Sequence, residues 1–183
     1  MGDISAIDIN NGNLLWQTPT QSSLAFDTGF FLKTSDVVAD KDALFFSNNQ
    51  NQFFSLDIQT GNLNWKQEIN SNLRPVIIND FIFTISLEGY LIILEKNTGN
   101  IIRSNYLLNK FKAKNRPKIK PTGFIVGNKN IYLSTNIGRL LVIDIANGET
   151  KTILKIDNKK ISRPAIFNKN LYLITDNSII KLN

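Results

Sequence analysis

The sequence predicts an all-β protein assembled from repeated four-stranded antiparallel sheets. Four segments align without gaps: Ala6–Trp16, Ser55–Trp65, Ile93–Arg103 and Val142–Thr152. Each carries an acidic residue and, four places on, a glycine: Asp8/Gly12, Asp57/Gly61, Glu95/Gly99 and Asp144/Gly148. The glycines recur at intervals of 49, 38 and 49 residues, which is the spacing of repeat architectures. A second register agrees with the first, because Phe45, Phe83 and Tyr132 each stand twelve residues before an acidic anchor, and Tyr172 opens the same pattern. No segment shows a helical period, whereas short runs of β-branched and aromatic residues recur throughout.

The elements follow in order. Ile4–Ile9 and Leu14–Gln17 read as two strands of a first, partial unit, within residues 1–20. Whole repeats are expected at about 32–69, 73–108 and 121–156, and a partial one at 161–183 with three strands. The clearest repeat reads as strand a at Arg74–Ile78, b at Phe81–Ser86, c at Tyr90–Glu95 and d at Asn100–Asn105. Between c and d the chain must reverse. Gln59-Thr60-Gly61-Asn62 supplies that turn, with glycine available for positive φ and the preceding acid able to accept turn amides. The acidic anchors are therefore expected to be structural. Runs such as Leu91–Leu94, apolar at every position, suit inner strands covered on both faces.

Composition narrows the chemistry. The 183 residues are 42% hydrophobic and 20% charged, as in a globular chain. There is no cysteine and no histidine, so a disulfide, a thiolate metal site, a Ser-His-Asp triad and a histidine-bearing zinc site cannot be built from this chain. No catalytic, metal-binding or cofactor-binding residues are assigned. No apolar run is long enough to span a bilayer as a helix, and Met1–Ser5 does not open a signal peptide. The net charge of +6 and pI near 9.5 permit acidic partners. A/T-rich coding alone would also enrich Lys, Asn and Ile.

Four short strands per unit at this period describe a β-propeller blade. The pattern Ala-x-Asp-x-x-x-Gly-x-x-x-Trp at Ala6–Trp16, repeated at Ser55–Trp65 with serine first, resembles the PQQ-like β-propeller repeat family. In that family the tryptophan ending strand d packs on the adjacent blade, a role the resemblance gives to Trp16 and Trp65. Arg103 and Thr152 depart from the pattern, so their blades are expected to pack less tightly or through other apolar residues. The closing run Arg163–Phe167, Asn170–Asp176 and Ile179–Leu182 is similar to the closing strands of the BamB-type propellers of outer-membrane protein assembly. Those carry an N-terminal lipidated cysteine that this chain lacks. Quinoprotein dehydrogenases of the family hold pyrroloquinoline quinone and calcium with acidic and Asn ligands. No such cluster stands apart from the repeat turns here, so no cofactor is expected.

About four blades fit this chain, whereas rings of the family have seven or eight. The expectation is the C-terminal half of a longer propeller, with self-association of two copies as one way to complete the ring. The alternative is a small closed ring in which Leu14–Gln17 completes the last blade. Two stretches depart from the repeat. Thr18–Thr34 is apolar and is expected to pack on the blades. Asn109–Pro121 places Lys110, Lys112, Lys114, Arg116, Lys118 and Lys120 at alternate positions, so an extended chain would align all six on one side. These six form the candidate partner-binding site, against a plain reading as a lysine-protected edge. Specific nucleic-acid binding is not expected, since Phe111 is the lone interleaved aromatic. The reading is a noncatalytic scaffold for protein partners, which the resemblance places in the outer-membrane assembly machinery, in the periplasm or at the outer membrane's periplasmic face. The alternatives are a fragment of a quinoprotein dehydrogenase and a binder of anionic surfaces through the basic loop.

Overall fold

The computed structural model describes residues 3–20 and 33–182, which form two compact units meeting in sequence at Asn72 and Leu73. The apolar stretch Leu24–Leu32 lies outside the described residues.

In the first unit, β1 (Asp3–Ile7) and β2 (Leu14–Pro19) form a hairpin. A four-stranded antiparallel sheet follows: β3 (Val38–Asp40), β4 (Ala43–Asn48), β5 (Gln52–Asp57) and β6 (Leu63–Gln67), paired in chain order. The second unit holds three sheets of the same kind. They are β7 (Val76–Ile78) to β10 (Ile101–Tyr106) through β8 (Phe81–Ile85) and β9 (Tyr90–Glu95), and β11 (Pro121–Val126) to β14 (Thr150–Lys155) through β12 (Asn130–Thr135) and β13 (Arg139–Asp144). The third has three strands, β15 (Ala165–Phe167), β16 (Asn170–Ile174) and β17 (Ile179–Leu182). The architecture is that of propeller blades, about four in number, and among the described residues the last sheet has three strands.

Burial follows strand position. The middle strands are covered on both faces: Phe53, Leu56, Ile82, Ile85, Leu91, Leu94, Ile131, Leu140 and Ile143 are all at 1% exposure or less. Outer strands such as β10 and β14 are largely exposed. One core of the second unit joins Phe83, Ile85, Leu91, Ile93, Phe124, Ile131 and Leu133 with Leu107, Leu108 and Ile119 from the connections. In the first unit, Trp65 stacks on Phe53 at 5.9 Å and lies 6.0 Å from Phe45. All four c–d hairpins break register one or two residues before the acidic anchor: between Ala6 and Ile7, Ser55 and Leu56, Val142 and Ile143, and opposite Ile93 and Leu94. The bulge shifts the c–d register just before the acid, which stays paired with strand b, as Asp57 does with Ala43 and Asp144 with Asn130.

Two expectations change. The a strands β7 and β15 are three residues long where Arg74–Ile78 and Arg163–Phe167 are expected, because Pro75 and Pro164 cannot donate to a ladder and hold the residue before them out of line. Residues 109–120 are not extended. Ala113–Lys118 is a 3-10 helix, the one such element among the described residues.

Candidate interaction sites

The acid-to-glycine hairpin repeats with the same geometry each time. Gly12, Gly61, Gly99 and Gly148 have φ of 75°, 72°, 73° and 73°, and each N–H donates to the carbonyl of its acidic residue at 2.8–2.9 Å. The acidic residue's own N–H donates across the turn, as from Asp57 to the Asn62 carbonyl at 2.8 Å. Asp57 Oδ1 accepts from the Gln59 and Thr60 amides and from the Thr60 hydroxyl, at 3.0, 2.8 and 2.9 Å. Asp144 Oδ1 accepts from Ala146, and its Oδ2 pairs with Lys151 Nζ at 2.6 Å. The Thr60 N–H beside Asp57, and the Lys151 ammonium beside Asp144, hold these carboxyls below their ordinary range.

The hairpin is also a receptor for the outer strand of the preceding sheet. Trp16 of β2 lies on Gly61, where a methyl group would come within 2.5 Å of the indole. Its Nε1–H donates to the Ile58 carbonyl at 3.1 Å, and the Thr18 hydroxyl donates to the Gly61 carbonyl at 2.7 Å. In the second unit the same seat is taken by Arg103 of β10. Its Nη1 donates to Ala146 at 2.6 Å and reaches Ile145, the residue equivalent to Ile58, at 3.4 Å. Asn105, equivalent to Thr18, lies against Gly148. Looser packing or another apolar residue is expected here; at Arg103 the contact is instead polar. The receptor is backbone carbonyl beside a bare glycine, to which either an indole or a guanidinium N–H can donate, the guanidinium making its shorter bond one residue further on, at Ala146. Thr152, on β14, is exposed.

A further repeated device was not read from the sequence. Asn48 and Thr135 end strand b, and Ser86 and Thr175 directly follow it, nine residues before the anchor where one is present, and all are buried. Their side chains close the b–c turn: Ser86 Oγ accepts from Tyr90 N–H at 3.3 Å, and Thr135 Oγ1 accepts from Arg139 N–H at 3.0 Å. The signal was present in the small polar residue following each apolar b strand, a cap of the kind Ser, Thr and Asn make.

The basic segment does not align six cations. Lys110 Nζ donates to the Lys151 carbonyl at 2.8 Å. Arg116 folds back, donating to Phe111 and Asn109 carbonyls at 2.9 and 2.7 Å, with its guanidinium 5.9 Å above the Tyr106 ring. Pro117 removes a donor inside the segment, and Ile119 is driven into the core at 2% exposure. Lys112, Lys114, Lys118 and Lys120 remain exposed. Behind them lies a groove of about 280 Å³ lined by Phe111, Asn115, Lys118, Ile119, Ile137 and Arg139. Among the described residues no three acidic side chains converge on a point where an ion could bind, and no helix is long and apolar enough to cross a membrane.

The family model described as outer membrane protein assembly factor BamB matches residues 1–105. A curated relative, the outer membrane protein assembly factor BamB of Legionella pneumophila (strain Paris), is 24% identical over 148 residues, 79% of this chain. The chain spans about a third of that relative's length, 33%. The crystal structure of BamB from Moraxella catarrhalis superposes with a TM-score of 0.66 at 16% identity, over 94% of this chain and 49% of that one. The β-propeller domain of Cps50 (Swd1) from Myceliophteria thermophila gives 0.71 at 13% identity, over 98% and 58%. The last two establish the blade fold alone. With the repeated acid-to-glycine hairpins and the family model covering more than half of the chain, this protein belongs to the BamB family of PQQ-like β-propellers.

Proposed function

We propose that the chain is a noncatalytic propeller scaffold that holds protein partners during outer-membrane protein assembly, at the periplasmic face of the outer membrane. The family match over residues 1–105 carries this reading. The chemistry of the hairpins supports it. A general acid or base working near neutrality needs a pKa close to 7. Asp57 is instead held low by bonds that close its own turn, and Asp144 first by the Lys151 ammonium and then by its turn amides. These carboxylates shape backbone, and the rigid sheets they terminate leave loops free to meet other proteins.

The test is depletion of the full-length protein in its host, followed by the amount of folded outer-membrane β-barrel protein. A clear fall is expected, and unchanged levels would refute the assembly role. Titration of the purified protein with pyrroloquinoline quinone and calcium addresses the noncatalytic part. Saturable quinone binding with dye-linked alcohol oxidation would overturn it.

A further inference from the structure

The groove beside the 3-10 helix has a composition that the blade fold does not require. Its floor is apolar, made by Phe111, Ile119 and Ile137, with Phe111 and Ile137 half-buried and Ile119 buried. Its rim is cationic. Lys118 lines it and is exposed. Arg139 also lines it, and its Nη1 donates to the Asp157, Ile137 and Gly138 carbonyls at 2.8, 3.0 and 3.4 Å. The guanidinium is thus fixed in place while the rest of its fork keeps donor capacity. Lys155 is the cross-strand partner of Arg139 and is exposed. Lys112, Lys114 and Lys120 extend the same charge along the chain, and residues 107–121 contain no acid. Among the described residues, no carboxylate pairs with Lys112, Lys114, Lys118 or Lys120. Asp157 follows nearby in sequence, but its carboxylate accepts from the amides of Asn158 and Lys159.

We propose that this groove docks an acidic protein segment that carries one large apolar residue, the apolar side chain seating on Phe111, Ile119 and Ile137 and the flanking carboxylates meeting Lys114, Lys118 and Arg139. Its volume of about 280 Å³ stands at the foot of the range of small-molecule pockets, which begins at about 300 Å³. It suits one side chain of a docked peptide. Complementary charge sets orientation and encounter rate, and the apolar seat supplies the discrimination between acidic segments. Anionic lipid or nucleic acid would use the lysines and leave the apolar floor empty, and the six basic residues do not form the flat row that such polyanions would follow. The inference rests on the scaffold reading in that it names the partner's chemistry.

The test uses the intact protein and a fluorescent short peptide of Asp and Glu around one central Phe, with a twin carrying Gly in place of Phe. Saturable anisotropy change is expected at low salt, weakening as salt rises. The Gly twin, and the K114Q/K118Q variant with the Phe peptide, should each bind about fivefold more weakly, the loss that two exposed ion pairs or one partly buried apolar contact implies. The control K129Q/K169Q removes the same charge from exposed sites elsewhere and should leave affinity unchanged. Amide shifts in 15N spectra should centre on Phe111, Lys118, Ile119 and Ile137. No saturable binding, equal binding of the two peptides, an equal loss in the control variant, or shifts centred elsewhere would each overturn the proposal. So would anionic vesicles or single-stranded DNA competing through the lysines better than the peptide. Peptide binding at the groove without loss of outer-membrane proteins on depletion would sink the assembly role and leave the groove standing. The reverse pair of results would sink the groove alone.

Discussion

Replacing Gly61 with alanine tests how one sheet is locked to the next, and Gly12 provides the control. Both glycines sit at the same place in equivalent hairpins, with φ of 72° and 75°. Alanine at either position incurs the left-handed penalty of an L residue, about 1–2 kcal/mol. At Gly12 nothing lies within 4 Å of the added methyl group. At Gly61 the methyl group would stand 2.5 Å and 2.6 Å from Trp16 Cε3 and Cδ2, and 2.7 Å from Thr18 Oγ1. The backbone cannot yield without undoing the Gly61 N–H bond to Asp57, so the indole must leave. Its departure breaks the Nε1 bond to Ile58 and the Thr18 bond to Gly61, at about 1 kcal/mol each. Gly61→Ala should therefore cost about 3–4 kcal/mol and Gly12→Ala about half as much. Urea unfolding followed by tryptophan fluorescence and by far-UV circular dichroism measures both, read as the shift in midpoint at constant slope. The emission of Trp16 should also move to the red in folded Gly61→Ala and stay in place in Gly12→Ala. Equal destabilisation by the two substitutions would refute the docking account, because the penalty would then belong to the turn alone.

Arg103→Ala should destabilise by about 1.5–3 kcal/mol through loss of a charge-assisted bond to Ala146, and Arg103→Trp should recover most of it by offering an indole donor; urea midpoints distinguish the two. Phe124→Ala, at a side chain 1% exposed, should cost about 3–5 kcal/mol in the same assay. Thr150→Val removes the hydroxyl that donates to the Leu107 carbonyl at 2.9 Å and should cost about 1–2 kcal/mol, read as a lower melting temperature. Asp57 and Asp144 have folded pKa values depressed below 3.8, so their contribution to stability is complete above that value and falls away as acid carries the pH down through the depressed pKa. Urea midpoints measured across the acid limb should drop less steeply in Asp144→Asn than in the parent. An unchanged limb would count against this role.

The hairpins were legible because a tight reversal imposes demands that few residues meet. Positive φ selects glycine, and unpaired turn amides select a short acid before it, so Asp57 and Gly61 announce themselves at fixed spacing. Strand c of the central repeat, Tyr90–Glu95, was legible to the residue, since an apolar run between two such turns has one place to start and stop. For a physical reason the basic segment does not take the extended form. Alternating cations define a strand face only when the intervening positions supply an apolar face to bury. Here those positions include Ala113, Asn115 and Pro117, which supply none, and Ile119 at the end draws the chain inward instead. The groove escaped notice because its floor comes from residues as far apart as Phe111 and Ile137, which no local pattern joins.

The exchange of Trp16 for Arg103 on equivalent carbonyls bears on how such chains diverge. An acceptor in the main chain cannot be lost by point mutation, so a junction between repeats survives drift in the donor as long as some long N–H-bearing side chain reaches it. Blade counts keyed to tryptophan will miss junctions in remote members of this fold. A search that admits arginine at the same offset from the glycine should recover them, and should find asparagine or threonine two residues further on.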